Sequence, residues 1–145
     1  MEVTTQNTKE TNKLASKVAE KIKAGDVLAL YGDLGSGKTT FVRFLVSALG
    51  FDARVQSPTF VIIRKYQGNN KVGLKGVNHL DLFRFQFKEE LETLDLSGVL
   101  KEKDEISIIE WPELAEDYFD KDTIKLYFED LGGDKRKITI ENLEL

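Results

Sequence analysis

The sequence contains the stretch Val27-Leu28-Ala29-Leu30-Tyr31-Gly32-Asp33-Leu34-Gly35-Ser36-Gly37-Lys38-Thr39, in which a short apolar run leads directly into a glycine-rich loop. A continuous apolar run of this length is typical of a strand buried on both faces of a parallel sheet. From Thr40 to Leu49 the apolar residues recur at helical spacing, and Gly50 follows them, which predicts a helix that ends there. A strand, a glycine-rich loop and a helix in this order form the setting in which many proteins bind nucleotide phosphates.

The glycine-rich loop matches the Walker A pattern, with Gly32, Gly37, Lys38 and Thr39 at its constrained positions. Glycines let the backbone approach phosphate oxygens closely, and the loop N–H groups and the helix N-terminus then face the anion. Lysine supplies a positive charge for the β- and γ-phosphates, and the threonine hydroxyl suits Mg²⁺. We therefore expect ATP and Mg²⁺ to bind here, with the nucleotide held by these loop residues: Leu34, Gly35, Ser36, Gly37, Lys38 and Thr39.

Two carboxylates follow predicted strands and are candidates for the metal shell of this loop. Glu110 comes directly after Ile106–Ile109, and Asp81 comes after the strand around Val77–Leu80. An acidic group at the end of a neighbouring strand holds Mg²⁺ or its waters in proteins that cleave nucleoside triphosphates. We predict that both carboxylates are functional, and that His79, the single histidine, is structural.

Patterns outside the loop predict one α/β domain over residues 1–145, with a short flexible N-terminus over about residues 1–6. A capping pattern at Asn7 or Thr8 begins an amphipathic helix that ends near Ala24-Gly25. Further strands or short helices are predicted over Phe60–Tyr66, Val72–Leu82, Lys88–Leu94, Ile106–Glu110, Thr123–Phe128 and Arg136–Ile140. The first two of these segments form a hairpin through the turn at Gln67–Asn70. The expected sheet is mixed and largely parallel, is flanked by helices and carries a late antiparallel hairpin.

The composition excludes several other classes of protein. The formal net charge is −4, which gives no reason to expect DNA binding through phosphate neutralisation. There are no cysteines, so disulfides and cysteine-based zinc sites are excluded. The longest apolar runs are far shorter than a membrane span, and the polar N-terminal segment Met1–Lys13 lacks the features of a signal peptide. We expect a cytoplasmic protein that contacts neither membrane nor DNA.

Four segments of the sequence follow one another in a characteristic order and spacing. They are Leu30–Phe41, Ser57-Pro58-Thr59-Phe60, His79-Leu80-Asp81-Leu82-Phe83-Arg84 and Ile108-Ile109-Glu110-Trp111-Pro112-Glu113. Together they resemble the TsaE family (formerly YjeE), the ATPases of bacterial tRNA threonylcarbamoyladenosine synthesis. The resemblance extends from about Thr8 to Ile140. The chain departs from the family at Ser36, where alanine is usual, and at Phe83, where tyrosine is common, and neither departure removes a phosphate or metal residue.

The resemblance implies an ATPase that works beside the TsaB–TsaD heterodimer and meets tRNA indirectly, through that complex. It implies phosphate and Mg²⁺ roles for Lys38, Thr39 and Thr40, and a metal-binding role for Glu110. Asp81 would orient the hydrolytic water or the metal shell. With Lys38 and Glu110, Asp81 completes the predicted catalytic set.

Three outlying positions also acquire roles from the resemblance. Thr59 would lie in a switch-like loop near the γ-phosphate. Thr8 and Arg136 match positions that the family places near the nucleotide. Arg136, like the other arginines of the chain, is not singled out by residue spacing alone.

Other functions remain to be weighed against this one. A small-molecule kinase usually needs an arginine-bearing lid, whereas the acidic segment Asp117–Asp122 has no arginine. A GTP-dependent switch needs an Asn-Lys-x-Asp motif, and neither Asn12-Lys13-Leu14-Ala15 nor Asn70-Lys71-Val72-Gly73 supplies the aspartate. A nucleotide-gated scaffold whose hydrolysis is incidental stays open. Because no arginine finger is evident, we expect slow hydrolysis by the isolated chain.

Overall fold

The computed structural model describes residues 1–52, 62–67 and 73–145. Within these residues the strands are β1 (Glu2–Thr5), β2 (Val27–Tyr31), β3 (Ile63–Gln67), β4 (Gly76–Asp81), β5 (Glu105–Glu110), β6 (Ile124–Gly132) and β7 (Lys135–Glu141). The helices are α1 (Thr8–Lys21), α2 (Lys38–Ala48) and α3 (Leu96–Leu100), with 3₁₀ helices at Lys88–Thr93 and Pro112–Tyr118. The chain is a single α/β domain built on one mixed sheet.

The seven described strands lie in the order β1-β7-β6-β2-β5-β4-β3. The central strand β2 pairs in parallel with both β5 and β6, and β5 pairs in parallel with β4. The outer pairs are antiparallel. A sheet that is parallel at its centre, with a late antiparallel hairpin from β6 and β7, confirms the predicted fold class. Because β2, β4 and β5 are parallel, their carboxyl ends meet at one edge of the sheet, where open α/β sheets bind ligands.

Helices cover the two faces of the sheet unequally. On one face α1 and α2 pack against the central strands, and their shared core includes Leu14, Val18, Phe41, Leu45, Leu28, Ile106 and Leu126. On the other face the shorter helices pack over a smaller core that includes Leu80, Leu91, Leu96, Ile109 and Ala115. The central strands are therefore buried on both faces, as their continuous apolar runs predict.

The first helix begins as the sequence predicts and ends earlier. Asn7 is its N-cap, and the Asn7 side chain accepts a hydrogen bond from the backbone N–H of Glu10 at 2.9 Å. The helix ends at Lys21, a few residues before the predicted stop at Ala24-Gly25.

The prediction of a flexible N-terminus was wrong, because residues Glu2–Thr5 form the edge strand β1. Val3 of β1 pairs with Ile138 of β7, and the N-terminal ammonium donates to the carbonyl of Ile140 at 2.7 Å. The polar sequence of an edge strand carries little signal by itself, since only one of its sides is paired and its faces are partly exposed.

The predicted hairpin before the fourth strand is confirmed by antiparallel pairing of β3 with β4, in which Ile63 lies opposite Leu80. Apart from Gln67, the predicted turn at Gln67–Asn70 lies outside the described residues, as does the segment Ser57-Pro58-Thr59. Strand β4 begins at Gly76, later than the predicted start. Helix α3 and the 3₁₀ helix at Pro112–Tyr118 were not predicted, because both are shorter than the window over which helical periodicity can be detected. Across the described part of the chain, no helix has the length and apolar character needed to cross a membrane.

Candidate functional site

The glycine-rich loop joins β2 to α2 with a backbone that its glycines alone can adopt. Gly32, Gly35 and Gly37 have φ angles of 149°, 79° and 103°. A Cβ atom built on Gly32 would lie 2.6 Å from Ser36 Oγ and 2.8 Å from the carbonyl oxygen of Phe128, so no larger residue fits there. Gly37 is the N-cap of α2, and the helix therefore begins at Lys38 with its N–H groups directed toward the loop.

The side chain of Lys38 lies inside this loop and is almost fully buried. Its Nζ donates to the carbonyl oxygen of Gly32 and lies 3.4 Å from that of Asp33. The same Nζ sits 3.8 Å from the centroid of the Trp111 ring, a cation–π contact. Burial lowers the pKa of Lys38, and the negative charge of Glu110 opposes that shift. The ammonium is thus held by carbonyl dipoles and an aromatic face in place of water.

Glu110 and Thr39 form a direct pair at the floor of the site. Thr39 Oγ1 donates to Glu110 Oε1 at 2.8 Å, and Glu110 is only 2% exposed. The pair exists because β5 lies in parallel register beside β2, with Glu110 opposite Leu30. A hydroxyl and a buried carboxylate from distant parts of the sequence are therefore brought together.

Asp81 lies on the neighbouring strand, with its backbone in register opposite Glu110. Asp81 Oδ1 accepts a hydrogen bond from the backbone N–H of Phe83 at 3.0 Å, which shapes the turn after β4. The two carboxylates predicted to share a metal shell thus occupy adjacent strand ends. Both face one cavity of about 300 Å³.

This cavity is lined by the loop and by the strand ends around it. We name it the larger cavity, because a smaller one of about 80 Å³ adjoins it. Its wall consists of Asp33, Leu34, Gly35, Ser36, Gly37, Lys38, Thr39, Thr40, Ile62, Asp81, Phe83, Arg84, Glu110, Trp111 and Arg136. All the predicted loop residues are included, although Leu34 is 79% exposed. Arg84 also lines the wall, although residue spacing alone did not single it out.

Arg136 joins the late hairpin to the loop. Its Nε donates to the carbonyl oxygen of Ser36 at 2.9 Å, and its Nη1 donates to Asp130 Oδ1 at 2.9 Å. A smaller cavity of about 80 Å³ is lined by Thr8, Thr11, Gly37, Thr40, Phe128, Asp134 and Arg136. Because Gly37, Thr40 and Arg136 line both cavities, the smaller one adjoins the larger. Thr8 and Arg136, which are distant in sequence, therefore line one cavity beside the loop.

One predicted site residue and the metal prediction have no structural test here. Thr59 lies outside the described residues. Within the ranges that the structure describes, no three His, Cys, Asp or Glu side chains are grouped so as to hold a metal ion. The roles of Thr39 and Glu110 as metal ligands stay predictions.

Two residues have closer contacts with the site than sequence reasoning assigned to them. His79, predicted to be structural, is fully buried and its Nε2 lies 2.5 Å from Glu110 Oε2. Trp111 contacts Lys38 and the ring of Phe83, and it adopts a φ of 56°, which is rare for a bulky residue. The available signals were positional: His79 precedes Asp81 by two residues on one strand face, and Trp111 directly follows Glu110.

Comparisons with known proteins agree with one another. The family model described as "Threonylcarbamoyl adenosine biosynthesis protein TsaE" matches residues 5–138. The tRNA threonylcarbamoyladenosine biosynthesis protein TsaE of Bacillus subtilis is 36% identical over 135 residues, which cover 93% of this chain and 81% of that protein. The protein of the same name from Streptomyces coelicolor is 33% identical over 135 residues, which cover 90% of this chain and 88% of that protein.

A solved structure extends the comparison to three dimensions. The crystal structure of Bacillus subtilis YdiB superposes with a TM-score of 0.74 at 30% sequence identity, and the match covers 97% of this chain and 83% of that one. The family match spans nearly the whole domain, including the loop, both strand-end carboxylates and Arg136. The chain belongs to the TsaE family of threonylcarbamoyl adenosine biosynthesis proteins.

Proposed function

We propose that this chain binds ATP with Mg²⁺ in the larger cavity and hydrolyses it in support of tRNA threonylcarbamoyladenosine formation, together with a TsaB–TsaD complex. The observation that carries the proposal is the contact between Thr39 Oγ1 and Glu110 Oε1 at 2.8 Å, beside the Walker lysine. A P-loop hydroxyl and a strand-end carboxylate are the protein groups that hold Mg²⁺ in such NTPases. The names of the relatives supply the pathway, and the family resemblance supplies the partners.

The residues fit an anionic ligand accompanied by a divalent cation. Lys38 carries a buried positive charge whose present neighbours are backbone carbonyls and a ring, and phosphate oxygens would satisfy it better. Mg²⁺ is usually bound by one or two carboxylates together with substrate phosphates, so a site with one hydroxyl and one or two carboxylates suits it. When bound, Mg²⁺ would neutralise the charge of the β- and γ-phosphates.

The protein groups divide the work of hydrolysis among themselves. The N–H groups of the loop and of the first turn of α2 bind phosphate oxygens, and Lys38 adds a positive charge. Glu110 and Thr39 would hold the cation, and Asp81, on the adjacent strand end, would orient the attacking water or a water of the metal shell. Thr8 and Arg136, at the smaller cavity, support the part of the nucleotide that extends beyond the phosphates.

Hydrolysis by the isolated chain should be slow. Arg136 Nη1 already contacts Asp130 and the carbonyl oxygens of Gly133 and Lys135, so this arginine is committed to protein groups. An arginine that stabilises the transferring phosphoryl group raises turnover by roughly 10³–10⁵ in related NTPases, and a partner often supplies or positions it. A TsaB–TsaD complex could do so here by closing over the larger cavity.

The test compares ATP hydrolysis with and without partners. We expect the rate to rise as TsaB–TsaD is added, and tRNA modification over many turnovers to require this chain. Glu110→Gln should bind ATP and hydrolyse it far more slowly, whereas Glu105→Gln, at the opposite end of the same strand, should behave as the wild type. If the Glu110→Gln variant binds ATP and supports tRNA modification as well as the wild type does, the chain is a nucleotide-gated scaffold and not an ATPase.

A further inference from the structure

His79 is a fully buried polar residue whose ring reaches the candidate metal-binding carboxylate. Its Nε2 donates to Glu110 Oε2 at 2.5 Å, while Glu110 Oε1 accepts from Thr39 Oγ1 at 2.8 Å. His79 has no solvent exposure, and its Nδ1 has no hydrogen-bond partner among the described residues. The bond to Glu110 is therefore the one side-chain hydrogen bond that the described residues give to this ring.

The position of His79 follows from the sheet. Strands β4 and β5 are parallel, with His79 opposite Ile108 and Asp81 opposite Glu110. Residues two apart on a strand share a face, so His79 and Asp81 lie on the same side of β4 as Glu110 lies on β5. His79 precedes Asp81 by two residues along β4 and therefore lies farther from the cavity. It contacts the buried side of the Glu110 carboxylate.

The contact restricts a torsion that is otherwise loose. The terminal torsion of a glutamate side chain is broad and roughly two-fold, so a carboxylate held at one oxygen can still reorient. Glu110 is held at both oxygens, by His79 on one and by Thr39 on the other. If the metal or its waters compete for the Thr39 hydroxyl, the bond to His79 is the one that remains.

We infer that His79 is a positioning residue that fixes the Glu110 carboxylate so that Oε1 faces Thr39 and the Mg²⁺ position. The inference rests on the proposed function, because it assigns His79 to the same site. Residues that orient a metal ligand in this way typically contribute 10–100-fold to metal affinity or activity. A histidine that only filled the core would stabilise the fold and have no effect on Mg²⁺.

Three substitutions separate these roles. In His79→Gln, the amide nitrogen can occupy the place of Nε2 and donate to Glu110. In His79→Asn, the amide nitrogen lies at the position of Nδ1, so the side chain is too short to donate to Glu110 Oε2. His79→Leu keeps the volume and removes the donor. Asn78→Leu is the matched control, since Asn78 is also buried but lies on the opposite face of β4, in register with Ser107.

The measurement is the affinity of each full-length variant for a non-hydrolysable ATP analogue, by calorimetry, in excess MgCl₂ and in EDTA. The ratio of the two affinities reports the contribution of Mg²⁺. We expect His79→Leu and His79→Asn to lower this ratio by about tenfold or more, with the affinity in EDTA unchanged and the ratio largely restored in His79→Gln. Asn78→Leu should leave the ratio as in the wild type.

The results distinguish failure of this inference from failure of the proposed function. If the wild type gains no affinity from MgCl₂, the proposed Mg²⁺–ATP site is wrong. If the wild type gains affinity and His79→Leu gains the same, His79 is a core residue only. Should His79→Leu fail to fold, the contrast between His79→Gln and His79→Asn decides, and equal ratios in these two variants overturn the inference.

Discussion

Arg136 Nε donates to the carbonyl oxygen of Ser36 at 2.9 Å, so the β6–β7 hairpin is hydrogen-bonded to the glycine-rich loop. The resemblance to the family places Arg136 near the nucleotide, and the hydrogen bonds give the residue a further role in shaping the loop.

The first prediction concerns this bond. Arg136→Met should lower the free energy of unfolding by about 1–3 kcal/mol, because it leaves carbonyl groups of the loop and hairpin without a donor. It should also weaken ATP binding, since the loop loses its support. Lys137→Met is the control: Lys137 forms an exposed pair with Glu129 that solvent screens, so this variant should unfold much as the wild type does. Denaturant unfolding and calorimetric titration with ATP measure both effects. Equal stability of the two variants would show that the Arg136 bonds contribute nothing specific.

The second prediction concerns the charge of Lys38. Lys38→Ala should reduce ATP affinity by roughly 10–100-fold, in line with the 1.5–3 kcal/mol typical of a hydrogen bond to a charged group. Lys75→Ala, which removes an exposed lysine paired with Asp104, should leave the affinity unchanged. Unaltered affinity in Lys38→Ala would rule out the Walker assignment.

The third prediction is a pH dependence of binding. Burial lowers the pKa of Lys38 in the free protein, and phosphate oxygens beside the ammonium would raise it. Below the lowered pKa, Lys38 is charged both in the free protein and in the ATP complex, and the affinity for ATP is at its maximum. As the pH rises through that pKa, only the free protein loses its proton, so affinity falls and binding takes up a proton.

Calorimetry in alkaline buffers of different ionisation enthalpy measures this proton uptake directly. We expect proton uptake to grow as the pH rises through the lowered pKa of Lys38 toward the ordinary lysine range. Binding that stays independent of buffer throughout that range would mean that Lys38 does not change its protonation on contact with ATP.

The fourth prediction uses the backbone at Trp111, whose φ of 56° disfavours a side chain with a Cβ atom. Trp111→Gly should be more stable to unfolding than Trp111→Ala by about 1 kcal/mol, because only glycine adopts this conformation without strain. At Leu114, in the neighbouring 3₁₀ helix, the order should reverse, with Leu114→Ala more stable than Leu114→Gly. A higher stability for Trp111→Ala than for Trp111→Gly would contradict the left-handed backbone at this position.

The parallel centre of the sheet and its loop could be predicted because their signals are local and strong. Val27–Tyr31 and Ile106–Glu110 are apolar over their whole length, and the glycines that follow Tyr31 permit few other structures. The proximity of Glu110 to the loop that carries Thr39 could be anticipated, because parallel strands bring their carboxyl ends together at one edge of the sheet.

The remaining features depend on partners that are distant in sequence. The edge strand β1 is polar and acquires its conformation from pairing with β7. The reach of Arg136 to Ser36 spans 100 residues, and no pattern around either residue announces it. His79 appears as an isolated histidine in the sequence, and its bond to Glu110 is visible only once β4 and β5 are in register.

The central place of β2 has a consequence for how the chain is made. The ribosome delivers Val27–Thr39 early, but both strands that flank β2, Glu105–Glu110 and Ile124–Gly132, emerge much later. Until they do, the glycine-rich loop follows a strand that has no strand paired with it on either side. Glu110, the carboxylate partner of Thr39, has not yet been synthesised at that stage. A nascent chain therefore contains the Walker A motif long before the site around it can assemble, and a ligand that needs Glu110 can stabilise only the finished domain.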